Sequence, residues 1–186
     1  AQKVYDFAWN EYCDWYIELV KPRLYGDDET TKAAAQYTLN LVLTNILKLL
    51  HPVIPFITEE IYGYLPGAGE AIIVSEWPEY DEALHFKQEE EDVRFLMACI
   101  KSIRNIRSEM DVPNAKKTQL FVITDNAARG ELMLKSAVYF EKLASVSGIS
   151  AIVKDDVQEN YVSAVVEDAE LFLSMDELVD KEKEIE

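Results

Sequence analysis

The sequence is short of almost everything that bond-making chemistry uses. It holds two histidines, His51 and His85, and two cysteines, Cys13 and Cys99, in 186 residues. At those separations they form no zinc-ligand spacing and no disulfide framework. Both cysteines fall among helical apolar residues and read as buried thiols. The six glycines are scattered, so no glycine-rich loop is available to cradle a nucleotide's phosphates. Long hydrophobic runs are missing too. Lys48, Pro52 and Pro55 interrupt the longest, leaving none near the ~18 residues that span a bilayer. Residues Ala1 to Asp6 lack the basic-then-apolar layout of a secretory signal. The chain therefore reads as soluble and cytoplasmic, with no membrane partner, no metal site and no catalytic residue.

Positive charge is also scarce. Eighteen lysines and arginines face 35 acidic residues, a net charge of −17. Broad nonspecific binding to nucleic acid is disfavoured by that balance, because phosphate contacts dominate such affinity. The scarcity is uneven, however. Residues 94–117 carry Arg94, Lys101, Arg104, Arg107, Lys116 and Lys117 against Glu109 and Asp111, which is +4 locally and leaves −21 elsewhere. Such a strip fits RNA contact at a confined site, and equally fits a solvated helix face.

What is abundant is helical patterning. Trp9, Tyr12, Cys13, Tyr16, Leu19 and Val20 recur at three- and four-residue steps, giving a helix from about Val4 that ends or kinks near Lys21-Pro22. Trp9 lies on that apolar stripe, which assigns it to the core rather than to base stacking. Gly26-Asp27-Asp28 is a turn, and Thr30 or Thr31 can cap a second helix with Leu39, Val42, Leu43, Ile46, Leu49 and Leu50 inward. His51-Pro52 stops it, with His51 placed to cap carbonyls at the helix end. Pro55 opens a third helix to about Leu65, where Glu59 and Glu60 face the positive end of its dipole. Ile72 to Val74 reads as extended, and Glu76 to Glu82 as a linker.

From about Phe86 to Ser108 another helix turns Val93, Leu96, Met97, Ile100 and Ile103 inward. At 100° per residue Arg94 and Lys101 point away from this stripe, Arg104 flanks it, and Arg107 falls in line with Ile100 and Ile103, half buried. A loop, Asp111 to Lys117, leads to a strand over Gln119 to Thr124. Residues 127–146 read as helical, with Tyr139, Phe140 and Leu143 as core. Strands follow at Ser150–Lys154, Tyr161–Val166 and Leu171–Leu173. Ser174 and Glu177 then make a capping-box pattern before a charged final helix. The expected fold class is α+β, mostly helical: a partial antiparallel helical bundle over 1–80, a small helix-on-sheet domain over 81–173, and the start of a helical arm over 174–186.

Three stretches together resemble one family. Glu11–Lys21 (EYCDWYIELVK) and Leu49–Ile61 (LLHPVIPFITEEI) are similar to late helices of the anticodon-binding domain of valyl-tRNA synthetases. Ile103–Pro113 (IRNIRSEMDVP), followed by Lys116-Lys117, resembles the segment after that bundle and points to the valine enzyme rather than an isoleucyl-type synthetase. Trp77-Pro78 and Leu178–Ile185 (LVDKEKEI) keep the family's order. Departures are local. Tyr62 stands where the family usually has Trp, Asn114 replaces the second proline of a pair, and Ser174 and Glu177 replace a usual Pro and Gly.

The resemblance implies part of an aminoacyl-tRNA ligase that joins valine to its tRNA using ATP. The family's His-Ile-Gly-His and Lys-Met-Ser-Lys-Ser elements, which bind that ATP, have no counterpart here, so this chain itself would hold no cofactor. The implied partners are the valine-accepting tRNA and an upstream catalytic domain of the same protein, and the terminal arm would be a coiled coil. Lys101, Arg104, Lys116 and Lys117, with Arg107 as the doubtful member, are the candidate tRNA contacts. The competing readings are a structural or interaction module without RNA affinity and the same region of an isoleucyl-type synthetase. Apolar side chains beyond the main stripes, such as Ile17 and Leu41, lead us to expect uncovered apolar surface on the 1–80 unit, a route to self-association. On this reading the chain alone shows no valine-dependent ATP–pyrophosphate exchange; exchange above background with purified protein would refute it.

Overall fold

The structure is a computed structural model and describes residues 1–157 and 160–178, apart from the side chains of Asp176 and Glu177. The chain divides into two compact units, Ala1–Glu82 and Ala83–Glu186. The expected Ser174–Glu177 cap and the arm beyond Leu178 lie outside the described residues.

The first unit is helical. Helix α1 (Gln2–Asp6) runs into a π-helical stretch, Phe7–Tyr16, and then into α2 (Ile17–Leu24). The π geometry is explicit at its end, where the Ile17 N–H donates to the Tyr12 carbonyl five residues back. Wider winding turns each residue through a smaller angle than an α-helix does, so a 100° wheel misassigns faces here. Tyr12 and Trp15 are buried, while Trp9 is 58% exposed and Cys13 is exposed. The core placement expected for Trp9 and the buried thiol expected at Cys13 are thereby corrected. Tyr12 donates its hydroxyl to the Leu39 carbonyl at 3.0 Å, and burial pushes its pKa up to about 12.

The helix ends at Leu24, close to the expected Lys21-Pro22, with Pro22 inside its last turn. Only the last turn remains at that point, so one bond is forfeited, and the Tyr25 N–H still closes on Lys21 O. The turn that follows needs its glycine, because a Cβ at Gly26 would lie 2.8 Å from the Pro22 carbonyl oxygen. Asp28, not a threonine, caps α3 (Glu29–Leu50): its carboxylate accepts from the Thr30 and Thr31 N–H groups at 3.0 and 3.3 Å.

After His51-Pro52 the chain folds back as α4 (Pro55–Tyr62), three residues shorter than expected. His51 is the C-cap of α3, where its backbone N–H donates to Leu47 O and Lys48 O, and its ring Nδ1 lies 2.9 Å from the Thr58 hydroxyl. Ile72–Val74 is a 3₁₀ turn, not an extended piece. It is held by the Glu59 carboxylate accepting from Ile72 N–H, and Ile72 packs with Leu47 and Tyr62. Around α4 apolar side chains stand uncovered: Val53, Ile54, Ile57 and Ile61 are exposed, and Phe56 is 91% exposed. Phe56, Tyr64 and Ile73 line one open hollow of about 600 Å³, so the exposure is contiguous there, whereas Ile17 and Leu41 are half-buried.

The second unit is a helix-covered sheet. Helix α5 (Lys87–Glu109) precedes β1 (Thr118–Thr124), α6 (Ala127–Lys135), α7 (Ala137–Leu143), β2 (Val146–Ala151), β3 (Tyr161–Val166), β4 (Ala169–Ser174) and the short α8 (Met175–Leu178). The strand order is β2-β1-β4-β3. β1 and β2 run parallel, and α6 with α7 supplies the crossover that parallel pairing requires; the remaining pairs are antiparallel. β2 begins four residues before its expected start, in a stretch whose Ser147 and Gly148 have low strand propensity. Leu120, Val122, Leu171 and Leu173 are buried with Phe95, Ile100, Ile103, Met133 and Phe140. Val93, expected on the buried stripe of α5, is exposed, and Phe95 takes the buried place, with the Arg129 guanidinium 4.2 Å above its ring. Tyr139 and Leu143 are half-buried beside the fully buried Phe140.

The N-cap at α3 discriminates directly between aspartate and threonine. Asp28→Ala is expected to lower stability in urea denaturation by about 1 kcal/mol, and Thr30→Ala by less than ~0.5 kcal/mol. Equal losses would mean that Asp28 does not carry the cap.

Candidate nucleic-acid interface

The basic residues of the second unit are set by one helix end. α5 begins with Glu89 and Glu90 in its first turn and carries Arg107 in its last, both matching the helix dipole. Arg107 is only 4% exposed, more deeply buried than its direction on the wheel suggests. Its Nη2 donates to the Pro113 carbonyl at 2.9 Å and to the Lys116 carbonyl at 2.6 Å. Burial lowers its pKa from the usual arginine value, although a guanidinium stays charged at neutral pH. Arg107 is thus a clamp on the loop, not a surface contact.

The loop is anchored at its far end as well. The Thr118 N–H donates to Ser145 O at 3.3 Å, and the Lys116 N–H to Pro113 O at 3.0 Å. Lys116 is half-buried and Lys117 exposed on this pinned backbone. Lys101 and Arg104 are exposed one helical turn apart on α5, and Arg104 Nε donates to the Leu143 carbonyl. Lys101 and Arg104 are thus brought to the last turns of α5, and Lys116 and Lys117 to the loop that Arg107 ties to that helix.

Between the ends of α5 and α7 lies an open cleft of about 630 Å³. Arg104 and Arg107 form part of its wall, and so does Lys142, which no sequence pattern singles out. Lys142 sits in the last turn of α7, a helix whose sequence signal is its core. No spacing rule could place it beside Arg104, because the two meet only through the tertiary fold.

Nothing among the described residues is arranged for bond-making. Thr58 lies between His51 and two backbone carbonyls, but its residue is 1% exposed and its hydroxyl hydrogen-bonds to Ile54 O or Pro55 O, so it is a packing contact rather than a nucleophile. Cys99 is fully buried, and burial, followed by the nearby Glu167, pushes its thiol up to about 12, so it stays protonated. Among the described residues no group of His, Cys, Asp or Glu is placed to hold a metal ion. No helix of the described residues is long and apolar enough to cross a membrane.

The sequence profile for the anticodon-binding domain of tRNA ligases matches residues 1–122. The chain belongs to that family. The match runs through the whole helical unit and on through α5 and most of β1, so the pinned loop and its lysines fall within it. The chain is also similar, at 49% identity over 186 residues, to the valine–tRNA ligase of Clostridium perfringens. Identity to the valine–tRNA ligase of Clostridium acetobutylicum is 50% over 189 residues, and to that of Geobacillus stearothermophilus 37% over 185. Each alignment takes in 100% of this chain and 21% of the relative, so the chain spans about a fifth of the length of these relatives.

The clamp has a measurable consequence. Arg107→Met keeps the alkyl stem but removes every donor, leaving two carbonyls of the loop without their charged partner. Stability in urea denaturation should fall by about 2 kcal/mol. A loss below ~0.5 kcal/mol would show that the loop holds itself in place.

Proposed function

We propose that this chain is the tRNA-positioning part of a valine–tRNA ligase, a cytoplasmic enzyme that joins valine to its tRNA with ATP. The observation that carries the reading is similarity along the chain's full length to one fifth of such ligases, with an anticodon-binding family match over 1–122. On this reading ATP chemistry is assigned to the four fifths of such ligases that this chain does not span. The uncovered apolar surface around α4 suits packing against that remainder, and in isolation it is a route to self-association.

In this chain the work is mechanical. The basic groups on α5 and its loop, Lys101, Arg104, Lys116 and Lys117, contact tRNA phosphates, while Arg107 holds the loop in register beneath them. Phosphate contacts position a nucleic acid without reading its sequence. If about three phosphates are neutralised, the logarithm of affinity should fall with the logarithm of salt at a slope of roughly −2 to −3. Reversing Lys116 and Lys117 together to Glu should weaken tRNA binding and flatten that slope, while costing no more than about 0.5 kcal/mol of stability per site. Unchanged affinity in the reversed protein would remove the loop from the binding surface.

A further inference from the structure

The cleft between α5 and α7 has a composition unlike the rest of the chain. Arg104, Arg107 and Lys142 line it against a single carboxylate, Asp111, in a protein whose net charge is −17. Helix ends normally present bare carbonyls, which repel anions. Here the Leu143 carbonyl at the end of α7 is covered by Arg104 Nε, and two loop carbonyls, Pro113 O and Lys116 O, are covered by Arg107 Nη2. One donor group is left over. Among the described residues Arg107 Nη1 is buried with no hydrogen-bond partner, in a residue that is 4% exposed and forms part of the cleft wall. An orphaned guanidinium nitrogen at this depth is costly unless the charge it carries is answered from the cleft.

The backbone of the cleft is constrained as well. Asp111 (φ 49°) and Ser145 (φ 53°) are left-handed, and both lie on the cleft wall. Non-glycine residues in that region cost free energy and persist where surrounding structure holds them. Ser145 is held by the bond from Thr118 N–H to its carbonyl. Ser145 and Asn114 are polar residues of the same wall.

We propose that this cleft binds one phosphate group of the tRNA backbone, with Lys142 and Arg104 as the contacting cations and Arg107 as the buried charge behind them. Such a site rests on the tRNA-positioning function proposed above and extends it to a residue, Lys142, outside the family match and outside the α5 strip. A volume of about 630 Å³ admits a phosphodiester with its sugar. The same chemistry would accept free inorganic phosphate, so the two sources must be separated.

The test uses the intact chain, wild type and Lys142→Gln. tRNA affinity is measured across a salt series, and the backbone amides of Ser108, Asn114 and Ser145 are followed by NMR during titration with inorganic phosphate and then with tRNA. Lys142→Gln should weaken tRNA binding roughly fivefold, equally for tRNAs of different sequence, and reduce the salt slope by about 1. The cleft amides should shift with tRNA at far lower concentration than with phosphate. Wild-type affinity and slope in Lys142→Gln would overturn the proposal. They would do so even if phosphate shifts the amides, which would make the cleft a free-anion site only. Loss of binding in the Lys116/Lys117 reversal with none in Lys142→Gln would leave tRNA positioning intact and sink the cleft alone. No tRNA binding by the wild type would sink both. Unchanged amide spectra away from residue 142 in Lys142→Gln separate a lost contact from a lost fold.

Discussion

The second unit depends on a buried cation bound to backbone. Arg107 closes the end of α5, gathers the loop through Pro113 O and Lys116 O, and so sets where β1 begins. Neutral donors could satisfy those carbonyls, but a guanidinium does so from one fixed plane and brings a charge the surrounding protein must tolerate. The cost is visible as the lowered pKa and the unpartnered Nη1. An apolar residue of similar volume could pack the same space. What the arginine adds is a fixed loop and a positive charge beside it in an acidic chain.

That charge matters because of its surroundings. At −17, the chain as a whole repels a polyanion at long range, and only contacts closer than the Debye length of about 8 Å escape the surrounding charge. Productive approach is therefore confined to the few places where cations are concentrated. Scattered lysines elsewhere, such as Lys21, Lys32 and Lys135, are paired with Glu18, Glu29 and Glu131 on their own helices. Concentration of cations in few places orients any polyanion that approaches, because it lowers the number of favourable encounters.

How much of this the sequence disclosed follows from geometry. The 100° rotation along α5 puts Arg107 in line with Ile100 and Ile103, and the structure buries all three. Strand β3 falls on its expected residues, Tyr161–Val166, because its β-branched and aromatic run is bounded by turn residues. The same rotation misplaces Trp9 and Cys13, because the chain winds there as a π-helix, and no local residue pattern announces that winding. Ile72–Val74 looks like a strand by composition, yet the Glu59 carboxylate on its first N–H and the packing of Ile72 on Tyr62 make it a turn. The cation strip was legible as a local charge excess. The cleft was not, because Lys142 joins it through a helix crossover that only tertiary packing creates.

Pinning also explains why a loop can serve as an interface at all. Lysine side chains lose conformational entropy on contact, and a mobile loop would add the cost of ordering its backbone. In this chain the backbone is already held at Pro113, Lys116 and Thr118 before any ligand arrives. Ordering that backbone therefore adds little to the cost of any contact the loop makes. The hydrogen bonds that Arg107 makes to Pro113 O and Lys116 O thus fix the loop in the free protein, which lowers the entropic penalty of any contact made through it. A buried arginine can in this way set the geometry of two lysines that it does not itself resemble in exposure.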